Sequence, residues 1–117
     1  MSSWDDAFSL REEWVTCREW ARRALDEAYK SAAEYAEAEC EYQTKKHELT
    51  MKLKNEGIAA TLIQMLVKGH ELIVDSLKRR NRAELMHKVD LKAIDVAITQ
   101  EREAFKDYQN ARNGDRF

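Results

Sequence analysis

Proline is absent from this 117-residue chain, and glycine occurs only three times. These two residues interrupt helices more than any other, so their scarcity leaves few places where a helix has to end. No apolar run approaches the roughly 20 residues that a membrane-spanning helix needs. The amino terminus also lacks the basic and then apolar order of a signal peptide. We therefore expect an all-α protein in the cytoplasm, with no membrane as its partner.

Cysteine and an excess charge of either sign are also scarce. Cys17 and Cys40 lie on one predicted helix, about 34 Å apart at a rise of 1.5 Å per residue, so they cannot bridge each other within it. We expect both to be free thiols in a reducing compartment. The 20 Lys and Arg residues against 22 Asp and Glu give a formal net charge of -2. This balance excludes both a strongly basic DNA-coating protein and an acidic DNA mimic.

What the chain does contain is a seam of apolar residues spaced seven apart. Its members are Trp14, Ala21, Ala28, Tyr35, Tyr42 and Leu49. Residues at this spacing return to nearly the same side of an α-helix. Ser9 and Glu12 have the spacing of a helix-capping pair, and Gly57 is suited to the left-handed conformation that ends a helix. The pattern predicts helix A from about residue 10 to residue 55.

A second pair of capping residues, Thr61 and Gln64, predicts a short corner helix over about residues 62–68. Gly69 either ends this helix or lies in a kink. Helix C then follows over about residues 70–112. Two long helices joined by a short corner form an antiparallel hairpin, which we expect to be a single domain over residues 1–117. Residues of helices A and C whose numbers add to about 125 should lie at the same height.

Several aromatic residues exceed what two alanine-rich helices can cover. They are Trp4, Phe8, Trp20, Tyr29 and Phe105. We therefore predict a homodimer in which two coiled-coil-like hairpins complete a four-helix bundle. The alternative is a monomer in which the segment around Trp4 and Phe8 folds across the open end as a third helix.

The stretch from Glu41 to Lys92 carries a recognisable set of short motifs. They are Glu41-Tyr42, Lys45-Lys46-His47-Glu48-Leu49, Leu53-Lys54-Asn55-Glu56-Gly57, Thr61-Leu62-Ile63, Lys68-Gly69 and Leu77-Lys78-Arg79-Arg80. This stretch resembles a family of small phage and prophage proteins that are predicted to be long helical hairpins, although His70 stands where that pattern has Asp. The resemblance implies a hairpin fold and a bacterial host. It transfers no active-site residue, because it brings no assigned chemistry with it.

Candidate chemistry in the chain is sparse. Glu84 and His87 have the Glu-x-x-His spacing of di-iron bundles, with Glu41 near them in the predicted register. Acidic residues are so frequent here that a solvated helix face is the stronger interpretation. The other histidines, His47 and His70, are scattered, and no serine or cysteine has the spacing of a nucleophile beside its base. We predict that the protein is not an enzyme and that it has neither a metal site nor a cofactor.

The densest cluster of positive charge is the first candidate binding surface. This basic belt comprises Lys78, Arg79, Arg80 and Arg82, with Lys45 and Lys46 opposite them in the predicted register. It is suited to phosphate groups or an acidic partner, so nucleic acid is a possible ligand. The glutamates at residues 34, 37, 39 and 41 argue against a binding role for the belt, because they would neutralise much of its charge. The absence of aromatic residues within it argues against stacking on single-stranded bases.

The amino-terminal segment is the second candidate surface. Trp4, Phe8 and Trp14 recur at helical spacing with acidic residues between them. Such aromatic anchors are typical of a helix that binds in a partner's groove. The same pattern also suits a helix that closes the end of its own bundle.

Taken together, these features favour a protein that works through its surface. We expect a stoichiometric inhibitor or modulator of a host nucleic-acid-handling or defence complex, comparable to an anti-CRISPR protein. It would contact a host or phage protein through the basic belt and the amino-terminal aromatic residues. The alternative is an accessory protein that binds DNA directly during phage replication or recombination.

Overall fold

A computed structural model describes the backbone of residues 3–114 and the side chains of residues 5–114. This part of the chain forms three helices and no strand: α1 (Ser3–Asn55), α2 (Ala60–Gly69) and α3 (Glu71–Gly114). Helices α1 and α3 pack against each other as a hairpin, and α2 lies at its corner. The predicted all-α hairpin is therefore confirmed.

Helix α1 begins at Ser3, well before the predicted start near residue 10. Asp5 and Asp6 lie in its first turn, where the partial positive charge of a helix amino terminus favours carboxylates. Ser9 and Glu12 have a capping spacing but lie inside the helix, because no residue before them interrupts it. Helix α1 ends at Asn55 as predicted.

The corner is made by one left-handed glycine and one extended histidine. Gly57 has a φ of 78°, and its N–H donates to the Lys54 carbonyl at 3.0 Å, which confirms the predicted helix end. Gly69 is the last residue of α2, and the break falls at His70, whose backbone is extended. The His70 ring accepts a hydrogen bond from the backbone N–H of Leu72 at 3.2 Å through Nδ1. His70 therefore caps the start of α3.

The two corner glycines should respond to alanine with opposite signs. Gly57→Ala is expected to lower the free energy of unfolding by about 1 kcal/mol, because alanine is strained at a positive φ. Gly69→Ala is expected to raise the free energy of unfolding by up to about 1 kcal/mol, because alanine favours the helical backbone. No neighbouring atom lies within 4 Å of a Cβ added at either position, so steric clash does not contribute. Urea unfolding measures both, and effects of equal sign would contradict this assignment.

The chain divides into two compact units, and the prediction of a single domain stays a prediction. Unit 1 combines Met1–Tyr29 with Val89–Phe117, and unit 2 is Lys30–Lys88. Each unit contains part of α1 and part of α3. None of the helices in residues 3–114 combines the length and the apolar character needed to cross a membrane.

Unit 1 is built on small side chains. Its buried apolar residues, among those described, are Ala28, Ala97 and Ala104. Beside them Trp14 is half-buried, and its ring lies 4.8 Å from the Phe105 ring, centroid to centroid. Alanines at the contact allow the two helix backbones to approach closely.

Unit 2 contains the larger aliphatic core. Ile63 and Val67 from α2 and Ile73 from α3 are each 4% exposed or less. Four partly buried residues pack against these three: Tyr42, Leu49, Leu53 and Ile58. The last turns of α1 thus pack against the cluster that contains α2 and the start of α3.

This packing shifts the helix register from the predicted one. The predicted register places Arg79 and Arg80 opposite residues 46 and 45, but they pair with Glu41 and Glu39. The difference is about five residues, or more than one helical turn. Helix α3 therefore begins below the carboxyl end of α1, because the last turns of α1 extend beyond it to contact α2.

Candidate protein-binding site at the helical corner

Half of the basic belt is paired with carboxylates of the same unit. Arg80 donates from Nε to Glu39. Arg79 Nη1 lies 3.2 Å from Glu41 Oε1, and Lys45 Nζ lies 2.9 Å from the same oxygen. The three cations Lys45, Arg79 and Arg80 therefore share two glutamates instead of forming an unopposed positive surface.

The glutamates remain ionised at neutral pH. A hydrogen bond from Gln43 and the neighbouring Arg80 lower the pKa of Glu39 from its ordinary value of 4.5. A hydrogen bond from Lys45 and the charge of Arg79 likewise lower the pKa of Glu41. Both carboxylates therefore carry a full negative charge against the belt at physiological pH.

The other half of the belt keeps its positive charge. The Lys46 Nζ lies 5.7 Å from the centroid of the Tyr42 ring, a cation–π contact. Lys78 and Arg82 are exposed, and neither forms an ion pair within residues 5–114. Lys78 and Arg82 lie one helical turn apart on α3, so three cations of the belt, with Lys46, keep an unopposed charge among the described residues. Binding of a phosphate backbone depends on several neutralised phosphates.

Of the amino-terminal candidates, the structure describes the side chains of Phe8 and Trp14. Trp4 lies outside the described side chains. Phe8 is 62% exposed and remains accessible. Trp14 is half-buried against Phe105, and its Nε1 donates to Glu101 at 2.9 Å. Trp14 thus packs within unit 1, and its role as a partner anchor stays a prediction.

The most exposed large apolar side chains of α2 form a surface that sequence reasoning missed. Leu62, Met65 and Leu66 are 52%, 72% and 48% exposed, and we call them the corner face. Met65 and Leu66 lie about one helical turn after Leu62, so the three share one side of α2, which differs from the side of the buried pair Ile63 and Val67. The signal was present in the sequence, because α2 is apolar around most of its circumference and only one side of a surface helix can face its own core.

A cleft of about 520 Å³ lies beside the corner face. Its lining comes from all three helices: Tyr42, Lys46, Thr50, Ile63, Gln64, Val67, Lys68, Ile73, Val74 and Leu77. The lining is mainly apolar and contains two lysines but no carboxylate. Its volume lies within the range of ligand and side-chain pockets, roughly 300–1,000 Å³.

The Glu-x-x-His pair serves two different contacts within unit 2. Glu84 pairs with Lys88 at 3.2 Å, whereas His87 Nδ1 lies 3.0 Å from the hydroxyl of buried Ser31. The sequence did not predict the serine–histidine contact, because the residues come from different helices and meet only in the observed register. Within residues 5–114, no three His, Cys, Asp or Glu side chains are grouped to hold a metal ion. We interpret the Ser31–His87 bond as a polar contact between packed helices.

Comparison of the chain with protein-family models, curated proteins and solved structures finds no match. The resemblance of residues 41–92 to the phage family thus stays a prediction. The functional conclusion depends on the geometry of the described side chains.

Proposed function

We propose that this chain is a non-enzymatic, phage-type protein-binding module. In its most concrete form it is a stoichiometric inhibitor or modulator of a host nucleic-acid-handling or defence complex. The observation that carries the proposal is the corner face, where Leu62, Met65 and Leu66 are all about half exposed or more. The phage setting is supported by the resemblance of residues 41–92.

The corner face suits recognition by a groove on the partner. A helix that presents large apolar side chains one turn apart is a common way to fill such a groove. Full burial of a Leu or Met side chain contributes about 1.5–3 kcal/mol, so three of them can support specific binding.

The adjoining cleft adds a charge preference. Lys46 and Lys68 line it without an opposing carboxylate in the lining. A partner segment with an apolar anchor and flanking Asp or Glu residues would complement this arrangement. When this chain binds that segment, it would block the surface through which the partner binds its nucleic acid or assembles with its other subunits.

Direct DNA binding has less support. Phosphates would have to compete with Glu39 and Glu41 for Arg79 and Arg80, which already have ionic partners. The protein-binding proposal needs no such exchange, because the corner face is already exposed.

Affinity capture with matched variants tests the proposal. The wild-type chain, a corner variant and a control variant are immobilised, and lysate of the bacterial host is passed over each with and without nuclease. The corner variant carries Leu62→Ala, Met65→Ala and Leu66→Ala. The control carries Met51→Ala, Leu85→Ala and Met86→Ala, three exposed apolar residues elsewhere in unit 2. Alanine favours helix, so both variants should fold.

We expect the wild type and the control to retain the same protein after nuclease. The corner variant is expected to retain at least tenfold less of that protein. Equal retention by the corner variant would contradict the role of the corner face. A gel shift with single- and double-stranded DNA at low salt tests the alternative. Binding that disappears in Arg79→Glu, Arg80→Glu, Arg82→Glu would favour the DNA-binding function instead.

A further inference from the structure

Unit 1 has little apolar burial of its own. Alanine supplies its buried apolar residues among the described side chains, at positions 28, 97 and 104. An alanine side chain buries far less area than Leu or Phe, and hydrophobic stabilisation is roughly proportional to that area. The larger apolar groups of unit 1 lie mostly outside this core.

Six of these larger groups share one side of unit 1, which we call the aromatic face. It consists of Phe8, Val15, Leu25 and Tyr29 of α1 with Leu91 and Phe105 of α3. Helical periodicity places the four α1 residues within about 100° of one another. The contact of Trp14 with Phe105 and Tyr108 marks the same side of the helix pair.

The other side of unit 1 has a different character. Trp20 lies there beside a cleft whose lining includes the acidic residues Glu13, Glu103 and Asp107. Val96 is 58% exposed and lies on the same side of α3 as Glu103 by helical periodicity. This side is apolar only in part, so the two sides can be tested against each other.

The exposed area of the aromatic face can be compared with the area that a specific interface buries. Phe8 is 62% exposed and Tyr29 is 68% exposed, and the other four range from 37% to 46%. With aromatic side chains of 150–250 Å² each, the face exposes about 500 Å² of apolar surface. Two such faces together bring about 1,000 Å², near the lower limit for a specific interface before any rim is counted.

Charges within and beside the face bear on what it can bind. By helical periodicity Arg11, Arg18 and Arg22 lie within the α1 part of the face, and Glu12 and Glu19, the ion-pair partners of Arg11 and Arg22, lie at its edge. A symmetric contact needs a surface that complements itself, and charges of both signs allow Arg of one copy to meet Glu of the other.

We infer that the aromatic face of unit 1 binds the aromatic face of a second copy, so that four helical segments enclose a common core. The contact supplies the large apolar side chains that the alanine core of unit 1 lacks. It does not involve the corner face and does not depend on the proposed function. Each dimer therefore presents two corner faces.

Sedimentation equilibrium of the full chain tests this inference. The face variant carries Leu25→Lys and Tyr29→Lys, which place like charges in the contact. The control carries Trp20→Lys and Val96→Lys on the other side of unit 1, with the same change in net charge. Circular dichroism at matched concentration establishes that each variant is helical.

The wild type is expected at twice its 13.7 kDa chain mass, and the face variant is expected to raise the dissociation constant at least tenfold, with the control unchanged. A monomeric wild type at tens of micromolar would overturn the inference, and so would an equal effect of the two variants. If the face variant loses helicity, the thermal midpoint of the wild type decides: a dimer's midpoint rises with protein concentration. A midpoint independent of concentration would overturn the inference.

Discussion

Replacement of Ile73 by alanine is expected to lower the free energy of unfolding by about 2–4 kcal/mol. Ile73 is 3% exposed and belongs to the cluster with Ile63 and Val67. This cluster is where residues of all three helices meet, since Leu49 and Leu53 of α1 pack against it. The substitution removes three buried carbon atoms and leaves a cavity that the corner cannot fill without moving α2.

The neighbouring residue is a matched control. Leu72→Ala removes the same number of atoms from a side chain that is 58% exposed. We expect a change in the free energy of unfolding within about 0.5 kcal/mol. Chemical denaturation of both variants measures the difference, and equal effects would mean that the corner core is not where the described contacts place it.

The second large effect is expected in the alanine core of unit 1. Ala97 is 8% exposed, so a larger side chain at this position has to enter the contact between the helices. Ala97→Leu is therefore expected to lower the free energy of unfolding by about 1–3 kcal/mol, because the added atoms force the two helices apart.

Ala93→Leu is the control for this substitution. Ala93 lies one turn earlier on α3 and is exposed. Leucine is nearly as favourable as alanine in a helix, so the expected change is a few tenths of a kcal/mol. A stability gain in Ala97→Leu would contradict the close approach of the helices, since leucine would then be filling open space.

The sequence predicted the helices because their signals are local. The seam from Trp14 to Leu49, the lack of proline and the left-handed position of Gly57 each depend on neighbouring residues only. These features were sufficient to predict the hairpin and the residue at which α1 ends. The start of α1 was placed too late, because Ser9 and Glu12 have a capping pattern that the chain does not use.

These local signals could not predict the register of α1 against α3. It depends on how far α1 extends past the start of α3, and α2 determines this distance by packing against Leu49 and Leu53. The shift of about five residues brought Glu39 and Glu41, instead of Lys45 and Lys46, opposite the arginines. It also brought Ser31 to His87. Half of a cluster that is basic in sequence is thus paired with carboxylates in the structure.

The candidate site was only partly predictable for a related reason. An apolar residue in sequence indicates burial or binding equally well. Ile63 and Leu62 are adjacent isomers, yet one is buried and the other is half exposed. The two residues differ because Ile63 lies on the side of α2 that packs on the core and Leu62 does not. Tertiary contacts determine which side that is.

Oxidative footprinting of the chain bound to its captured partner tests the corner face most directly. Met65 is 72% exposed and Met86 is 54% exposed, so both thioethers should oxidise readily in the free chain. Binding through the corner face is expected to slow oxidation of Met65 severalfold and leave Met86 unchanged. Oxidation of Met65 at the same rate in the bound and free chain would contradict the proposed role of the corner face.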